Sequence, residues 1–232
     1  MNVIITGASK GLGRAIALQY AAAGYTLMLC SRGAKALYDF VNELYIMFPD
    51  VTVKALPVDM SIKDEVIAFA DWSLQFGTPT ILVNNAGMFL PGSIHSEEDG
   101  TLETMITTNL YSAYHLTRAL LPSMIANKSG HIFNICSIAS LQAYSNGGSY
   151  SISKFALLGF SKNLREELKS FGIKVTAILP GATYTDSWSG SGVEPKRIME
   201  ADDVAKMVFA ASQLSAQAVV EDIILRPQLG DL

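Results

Sequence analysis

The sequence has little cysteine, histidine or charge. Its 232 residues include two cysteines and three histidines, and 16% of them are charged. Cys30 and Cys136 stand in strand-like runs, "LMLCS" and "FNICS", with no second cysteine or histidine at the spacing of a metal site. We therefore expect no metal centre, and we interpret both cysteines as small buried hydrophobes in a reducing compartment rather than as a disulfide or redox pair.

Basic patches and long apolar runs are also missing. The formal net charge is −4 and no run of Lys or Arg occurs, so the sequence carries no electrostatic footprint for a nucleic acid. No apolar stretch reaches the roughly 18 residues of a membrane span. Met1 leads directly into "NVIIT" without a basic leader or cleavage site. From these features we expect a cytoplasmic protein with no membrane partner.

Hydrophobic residues, in contrast, are abundant and make up 50% of the chain. They occur in short runs that alternate regularly with longer segments. Strand-sized runs rich in β-branched residues lie at 3–6, 26–31, 51–58, 80–85, 131–137, 174–179 and 219–225. Stretches with helical spacing lie between them at 11–23, 34–48, 62–76, 99–127, 150–171 and 201–215. This alternation predicts one α/β domain over 1–232, a Rossmann-like doubly wound sheet of seven mainly parallel strands with helices on both faces.

A glycine-rich turn, "TGASKGLG" at 6–13, joins the first predicted strand to the first helix. Gly7, Gly11 and Gly13 permit a tight turn and a close approach to a ligand, and a helix N-terminus offers free amides to a phosphate. The spacing is wider than G-x-G-x-x-G, but its place after the first strand predicts a diphosphate-bearing cofactor.

The end of the second strand bears on which dinucleotide binds. A carboxylate would be expected about there for an unphosphorylated adenosine ribose, but the sequence reads "CSRG" at 30–33. Ser31 and Arg32 suit a 2′-phosphate, and Lys10 could add a second positive charge. We therefore predict that NADP(H) is preferred and that NAD(H) is the alternative. A solvated arginine at a strand end is the other interpretation of Arg32.

Near the middle of the chain, "YSISK" at 150–154 places Tyr150 and Lys154 on one side of a helix. Such a pair arises by chance, but other segments accompany it in order. Together they resemble the short-chain dehydrogenase/reductase family in its compact form: "TGASKGLG" resembles TGxxxGxG, "NNAG" at 84–87 is the same as the family motif, and "YSISK" resembles YxxxK, joined by Asn109, Ser137, Pro180, Gly181 and Thr185.

The resemblance implies roles for four catalytic residues. Tyr150 would donate a proton to a carbonyl oxygen, or remove one from a hydroxyl. Lys154 would lower the pKa of Tyr150 and bind the nicotinamide ribose. Ser137 would hold the substrate oxygen, and Asn109 would position a water near Lys154. Considered singly, Ser137 and Asn109 could instead make only local hydrogen bonds.

The resemblance also implies a set of cofactor contacts. Asp59 would lie beside the adenine, although Asp59 or Ser61 could instead cap a helix. Asn84 and Asn85 could pin neighbouring strands through backbone hydrogen bonds. Thr185 would contact the carboxamide, with Thr183 as the alternative. The full predicted set is Gly7, Ser9, Lys10, Gly11, Leu12, Gly13, Ser31, Arg32, Asp59, Met60, Asn85, Ala86, Gly87, Tyr150, Lys154, Pro180, Gly181, Thr183 and Thr185.

The substrate site is expected at the carboxyl ends of the strands. A loop at about 181–200, rich in Gly, Ser and Thr in 181–197, is a candidate lid, with an ordinary surface loop as the alternative. The predicted walls are apolar and aromatic, formed by Phe89, Leu141, Tyr144, Tyr184 and Trp188. We expect a reductase of a carbonyl, or a dehydrogenase of a secondary alcohol, on a small to medium, moderately hydrophobic molecule.

Several functions remain open at this level. A 3-oxoacyl thioester carried by an acidic protein would need a basic entrance, for which Lys196 and Arg197 are the candidates. The alternatives are an NAD-dependent alcohol or polyol dehydrogenase and a regulatory protein that binds NADPH without turnover. The resemblance further implies a homodimer or homotetramer formed through helices 99–127 and 150–171.

The remaining histidines and three methionines are assigned no chemistry. His95 and His131 are interpreted as surface or loop residues, and His115 as a packing residue on a helix. Met47, Met105 and Met124 fall at positions compatible with buried helix faces, so core filling is expected.

Overall fold

A computed structural model describes residues 1–185, 188 and 192–231 of the chain. The strands are β1 (Asn2–Thr6), β2 (Thr26–Ser31), β3 (Val53–Pro57), β4 (Ile81–Asn84), β5 (Gly130–Ile135), β6 (Ile173–Pro180), β7 (Thr183–Tyr184), β8 (Met199–Glu200) and β9 (Asp222–Leu225). Seven of them form one parallel sheet in the order β3-β2-β1-β4-β5-β6-β9. The predicted Rossmann-like α/β fold is confirmed.

Helices cover both faces of the sheet. They are α1 (Gly11–Ala22), α2 (Ala34–Met47), α3 (Lys63–Leu74), α4 (Thr101–Ile106), α5 (Ser112–Asn127), α6 (Gly148–Leu168) and α7 (Ala201–Ser212). Apolar side chains of α1, α2 and α7 pack on one face, and those of α3, α5 and α6 on the other. Within the described ranges, no helix is long and apolar enough to cross a bilayer.

Burial on both faces explains why the strands read as continuous apolar runs. Residues 3–6 of β1 and 81–84 of β4 are all buried. Successive side chains along each strand point to opposite faces, so one packs toward α1 and the next toward α3 and α5. Ile5 belongs to the first cluster and Ile4 to the second. The alternation of β-branched residues therefore serves two cores that share one sheet.

The predicted helix 99–127 is interrupted. After α4, residues Thr107–Tyr111 form a π-helical turn before α5 begins. Single π turns inside α-helices recur at functional sites, since they redirect one side chain. Here the turn contains Asn109, a predicted site residue, which is buried.

Two predictions about isolated side chains were wrong. His131 lies in β5 and is 5% exposed, because its run occupies the middle of the sheet rather than a loop. Met47 is the last residue of α2 and is 50% exposed, since the final turn projects beyond the sheet. Met105 and Met124 are buried as predicted.

The segment after β6 has more structure than the predicted loop. β7 pairs with β8 in parallel, and a 3-10 turn spans Pro195–Arg197. Asp186, Ser187 and 189–191 of the predicted lid lie outside the described residues. The chain end curls back over this segment, because Arg197 donates hydrogen bonds to the carbonyl oxygens of residues 229–231.

Candidate cofactor and active site

The glycine turn lies at the point where the strand order reverses, between β1 and β4, which is where open α/β sheets bind ligands. Gly7 and Gly11 have φ of +64° and +55°, which favour glycine. A Cβ on Gly13 would lie 2.4 Å from the carbonyl oxygen of Gly7 and 2.5 Å from Asn85 Nδ2. The turn therefore packs against its own helix too tightly for any other residue at position 13.

A cross-strand set of hydrogen bonds fixes this turn. Asn85 Nδ2 donates to the carbonyl oxygens of Thr6 and Gly7 at 2.8 and 3.1 Å. Thr6 Oγ1 accepts from the backbone amides of Asn85 and Ala86 at 3.0 and 2.9 Å. Asn85 thus pins neighbouring strands, one of the two interpretations of that residue. The part played by Thr6 was missed, and its only sequence signal was its place as the last residue of the first strand.

The start of α1 is suited to a diphosphate. Lys10 is the N-cap residue with extended backbone, and no side chain caps the helix. The first amides of the helix are not capped by the N-cap side chain, and the helix dipole favours an anion there. The methyl carbon of Thr185 would lie 3.3 Å from a Cβ on Gly11, so the tip of the segment after β7 reaches the same turn.

The ends of β2 and β3 carry the predicted adenosine contacts. Ser31 is buried with no hydrogen-bond partner for its hydroxyl, and Arg32 is exposed beside it. Asp59 Oδ1 accepts from the amide and hydroxyl of Ser61 at 2.9 and 2.7 Å, and these bonds, with the charge of Arg32, lower the pKa of Asp59. The ends of β2 and β3 therefore carry polar side chains and one positive charge where the adenosine end of the cofactor is expected.

One detail in this region differs from the sequence prediction. The helix N-cap is Ile62, and neither Asp59 nor Ser61 caps α3, because Asp59 is engaged in its own turn with Ser61. The Met60 side chain is buried in the core with Cys30, and their sulfur atoms are 3.7 Å apart.

Tyr150 is the third residue of α6, and its side chain lies near those of Ser137 and Phe89. The hydroxyl of Ser137 lies near the phenol of Tyr150 and acts on its pKa. The ring of Phe89 stands edge-on to the ring of Tyr150, with centroids 5.0 Å apart. Burial raises the pKa of Tyr150, and the nearby Ser137 hydroxyl acts in the opposite direction. The phenol is thus held protonated beside the serine.

Lys154 lies one turn further along α6 and is 5% exposed. Its ammonium donates to the carbonyl oxygen of Ile135 at 2.8 Å and lies 5.8 Å from the centre of the Tyr150 ring. Burial lowers the pKa of Lys154 to about 8. The prediction that Lys154 lowers the pKa of Tyr150 is wrong for this arrangement, since the ammonium is bonded to the strand carbonyl and burial dominates at the phenol.

Asn109 points from the π turn toward Lys154. Its Oδ1 accepts from the amide of Met88 at 2.7 Å, and its Nδ2 donates to the Met88 carbonyl at 3.0 Å and to Ser153 Oγ at 2.8 Å. A Cβ on Gly87 would lie 3.1 Å from Asn109 Oδ1 and 3.6 Å from Lys154 Nζ. The side chain therefore locks the segment after β4 against α6.

Ser137 follows β5 and is 8% exposed. Its hydroxyl accepts from the amide of Ala139 at 3.1 Å, and Ser140 Oγ accepts from the amide of Ser137, which together cap a short 3-10 turn. The local bonds expected of a strand-end serine are present. They orient the same hydroxyl that lies near Tyr150, and the role of Ser137 toward a substrate oxygen stays a prediction.

The described side chains predicted to form the apolar and aromatic walls are, apart from Trp188, nearly half exposed, and Phe89 and Tyr144 lie near Tyr150. Phe89, Leu141, Tyr144 and Tyr184 are each 42–45% exposed. The pKa of Tyr144 is raised to about 12 by burial and by the nearby Tyr150. Partly exposed aromatic rings near the Tyr150 phenol suit an apolar molecule with one oxygen function.

In the segment after β6, some predicted site residues make local contacts and others reach the glycine turn. Thr183 is buried and donates to the Gly181 carbonyl at 2.9 Å, so its hydroxyl is engaged locally, whereas Thr185 reaches the glycine turn. Arg197 is held by the chain end. A groove of about 1570 Å³ lies between α1, β7, α7 and residues 223–229, and it reaches Lys10, Gly11 and Thr185.

Comparisons with known proteins agree with this geometry. A family model described as short chain dehydrogenase matches residues 1–194. The chain is 33% identical over 239 residues to a sepiapterin reductase of Chlorobaculum tepidum, covering 99% of this chain and 97% of that protein.

Solved structures are similar over nearly the whole chain. A metagenomic short-chain oxidoreductase in complex with NADP has a TM-score of 0.85 at 30% identity, covering 98% of this chain and 97% of that one. An L-sorbose reductase of Gluconobacter frateurii in complex with NADPH and L-sorbose has a TM-score of 0.89 at 28% identity, covering 97% of this chain and 94% of that one.

Proposed function

Because this chain belongs to the short-chain dehydrogenase family of NAD(P)-dependent oxidoreductases, we propose that it is an NADPH-dependent reductase of a carbonyl on a small to medium, moderately hydrophobic molecule. The observation that carries this proposal is that Ser137 and Lys154 both lie beside Tyr150. A binding protein without turnover would not need a phenol, an alcohol and an ammonium at one point.

Each of these residues has a chemical task in the proposed reaction. Tyr150 donates its phenolic proton to the substrate oxygen as negative charge develops there. Ser137 donates a hydrogen bond to the same oxygen, and because its hydroxyl is held by the turn after β5, little reorganisation is required. Lys154, whose ammonium lies 5.8 Å from the centre of the Tyr150 ring, would bind the nicotinamide ribose.

The cofactor end supports a phosphorylated dinucleotide. The tight packing at Gly13 and the first amides of α1 fit a diphosphate, and the buried Ser31 hydroxyl and exposed Arg32 fit a 2′-phosphate. The structural relatives named with NADP or NADPH favour the same choice. When bound, such a dinucleotide supplies or accepts the hydride. NAD(H) is the weaker ligand in this proposal because β2 ends without a carboxylate.

The walls of the pocket limit the substrate class. Phe89 stands edge-on to Tyr150, Tyr144 lies near it, and both rings are partly exposed, so we propose a ketone or aldehyde with an apolar flank. A carrier-linked 3-oxoacyl thioester is less well supported, because Arg197 is bonded to the chain end rather than offered at the entrance. The two named relatives reduce different molecules, so the family alone does not select one.

We also propose a cytoplasmic homodimer or homotetramer. The faces of the π turn, α5 and α6 carry partly exposed apolar side chains, which are Tyr111, Tyr114, Ile152 and Phe155. Light scattering after size-exclusion chromatography tests this assembly. A monomer at micromolar concentration would contradict it.

The cofactor proposal is tested by titrating the protein with NADPH and NADH and following the fluorescence of the reduced nicotinamide. We expect tighter binding of NADPH and a loss of at least tenfold in that preference for Arg32→Ala, since a charge-assisted phosphate contact is worth roughly 1.5–3 kcal/mol. Arg118→Ala, a distant exposed arginine on α5, is the matched control. Equal affinities for NADPH and NADH in the unaltered protein would overturn the assignment.

The catalytic proposal is tested with Tyr150→Phe on a ketone and aldehyde panel. The variant should bind NADPH normally and lose roughly 10²- to 10⁴-fold in turnover, because general acid catalysis contributes about that much. Near-normal turnover would show that another group donates the proton.

A further inference from the structure

The first turn of α6, which presents Tyr150, has no cap of its own. Its N-cap residue is Gly147, which has no side chain. Ser149, at the second helical position, is 1% exposed, so its hydroxyl and amide need partners within the protein. The partner comes from a different segment of the chain, because both groups donate to the carboxylate of Glu97.

The contact of Glu97 with α6 is close and specific. Its Oε1 accepts from the Ser149 hydroxyl, and its Oε2 accepts from the Ser149 amide at 3.5 Å. A Cβ on Gly148 would lie 3.2 Å from the same Oε2, so residue 148 must be small for the carboxylate to reach the helix. A carboxylate at this place also complements the positive end of the helix dipole.

Three further contacts fasten the segment that bears Glu97. Gly92 donates to the Asn146 carbonyl at 3.1 Å and forms an isolated parallel bridge with Gly147. Ser93 Oγ donates to Asn146 Oδ1 at 2.9 Å. Asn146 adopts a left-handed φ of +59°, which asparagine tolerates better than most other residues and which suits the turn that carries these contacts.

The fastened segment, residues 88–97, bears Phe89 at its start. Phe89 is the ring that stands edge-on to Tyr150, 5.0 Å away, and it contributes to the burial that raises the pKa of the phenol. Glu97 therefore joins both neighbours of Tyr150: the helix turn that carries it and the segment that covers it.

We propose that Glu97 is a positioning residue for Tyr150, which latches residues 88–97 onto the first turn of α6 and so fixes the phenol between Phe89 and Ser137. The proposal rests on the assignment of Tyr150 as the proton donor. It adds a residue outside the substrate pocket, about fifty positions earlier in the chain, to the set that determines the rate.

The test compares four variants in an NADPH-dependent assay on a carbonyl that the unaltered protein reduces. Glu97→Ala and Ser149→Ala should each lower kcat about tenfold or more, because small displacements of a reacting group are costly. NADPH affinity should change less than twofold. Glu97→Gln should retain most activity, since its amide oxygen still accepts from Ser149. Glu98→Ala, an exposed neighbour that loses the same charge, should behave as the unaltered protein.

Two readouts separate positioning from general support of the fold. The basic limb of the kcat profile should move to lower pH in Glu97→Ala, because the phenol loses cover and its raised pKa falls toward the ordinary value. The losses from Glu97→Ala and Ser149→Ala should not add in the double variant, since both break one contact. An unchanged profile, additive losses, or a Gln variant no better than the Ala variant would overturn the proposal.

Hydrogen exchange of the apoprotein gives a readout that needs no substrate. Peptides covering 86–97 and 145–153 should exchange faster in Glu97→Ala and Ser149→Ala than in Glu97→Gln or Glu98→Ala. If no carbonyl is reduced by the unaltered protein, the proposed function fails while exchange still decides whether the latch exists. Unchanged exchange in Glu97→Ala would refute the latch and leave the proposed function standing.

Discussion

His131 provides a quantitative test of the interior of this protein. Its Nε2 lies 2.7 Å from Thr176 Oγ1, and that hydroxyl donates to the Val220 carbonyl at 2.6 Å, so Nε2 must carry the proton that the threonine accepts. Nδ1 is buried with no hydrogen-bond partner, and the ring stacks on Phe133 with centroids 3.9 Å apart. A second proton on this ring would have no acceptor.

The consequence is a pKa lowered from 6.5 to about 3, mainly by burial and secondarily by the charge of Lys174. In the unfolded chain the imidazole binds a proton below about pH 6.5, whereas in the folded chain it stays neutral to about pH 3. The unfolded state therefore binds more protons in this window, and stability falls as pH falls. At about pH 4.5 the two pH units below 6.5 correspond to about 2.7 kcal/mol.

Urea unfolding at about pH 7 and about pH 4.5 measures this effect when His131→Gln is compared with the unaltered protein. The glutamine amide can donate to Thr176 but does not titrate, so the free energy of unfolding of the variant should fall less on acidification, by about 2.7 kcal/mol. Carboxylates elsewhere titrate equally in both proteins and cancel. Equal falls in the two proteins would refute the assignment of a neutral buried histidine.

Three further outcomes are expected. Gly13→Ala should weaken NADPH binding at least a hundredfold by fluorescence titration, since its Cβ would meet the Gly7 carbonyl at 2.4 Å and force the turn apart; retained affinity would show that the turn adapts. Lys154→Met should raise the free energy of unfolding at about pH 7 by about 2 kcal/mol while abolishing turnover, because the folded protein holds a buried ammonium whose pKa is lowered to about 8; a destabilised variant would contradict this. Asn134→Ala should cost about 1–3 kcal/mol in thermal unfolding without changing NADPH affinity, as it breaks a buried bond to Ser161 Oγ of 2.8 Å; an unchanged melting temperature would refute it.

Much of the candidate site could be predicted because short motifs encode local geometry. The glycines of 7–13 predicted the turn, because the turn requires their backbone freedom. The helical spacing of Tyr150 and Lys154 predicted that both lie on one side of α6. The order of the segments sets the sheet, and the strand ends then bring distant motifs to one edge. These inferences use periods of two and 3.6 residues and the chemistry of single side chains, which the sequence displays.

Other features depended on partners that the sequence does not mark. The hydrogen bond from Lys154 to Ile135, the burial of His131 and the link from Glu97 to Ser149 each join residues that are far apart in the chain, or depend on which strand becomes central. The sign of the Tyr150 pKa shift changed for the same reason, because burial is a property of the packed environment.

The amino-acid sequence by itself determined the class of fold, the glycine turn and the candidates for the reacting side chains, since these follow from local backbone preferences and residue chemistry. Only the tertiary structure decided which carboxylate caps the helix of Tyr150, how far Lys154 lies from it, and which histidine is kept neutral. Those outcomes depend on distances and on exclusion of water, and both arise when segments separated by many residues pack together.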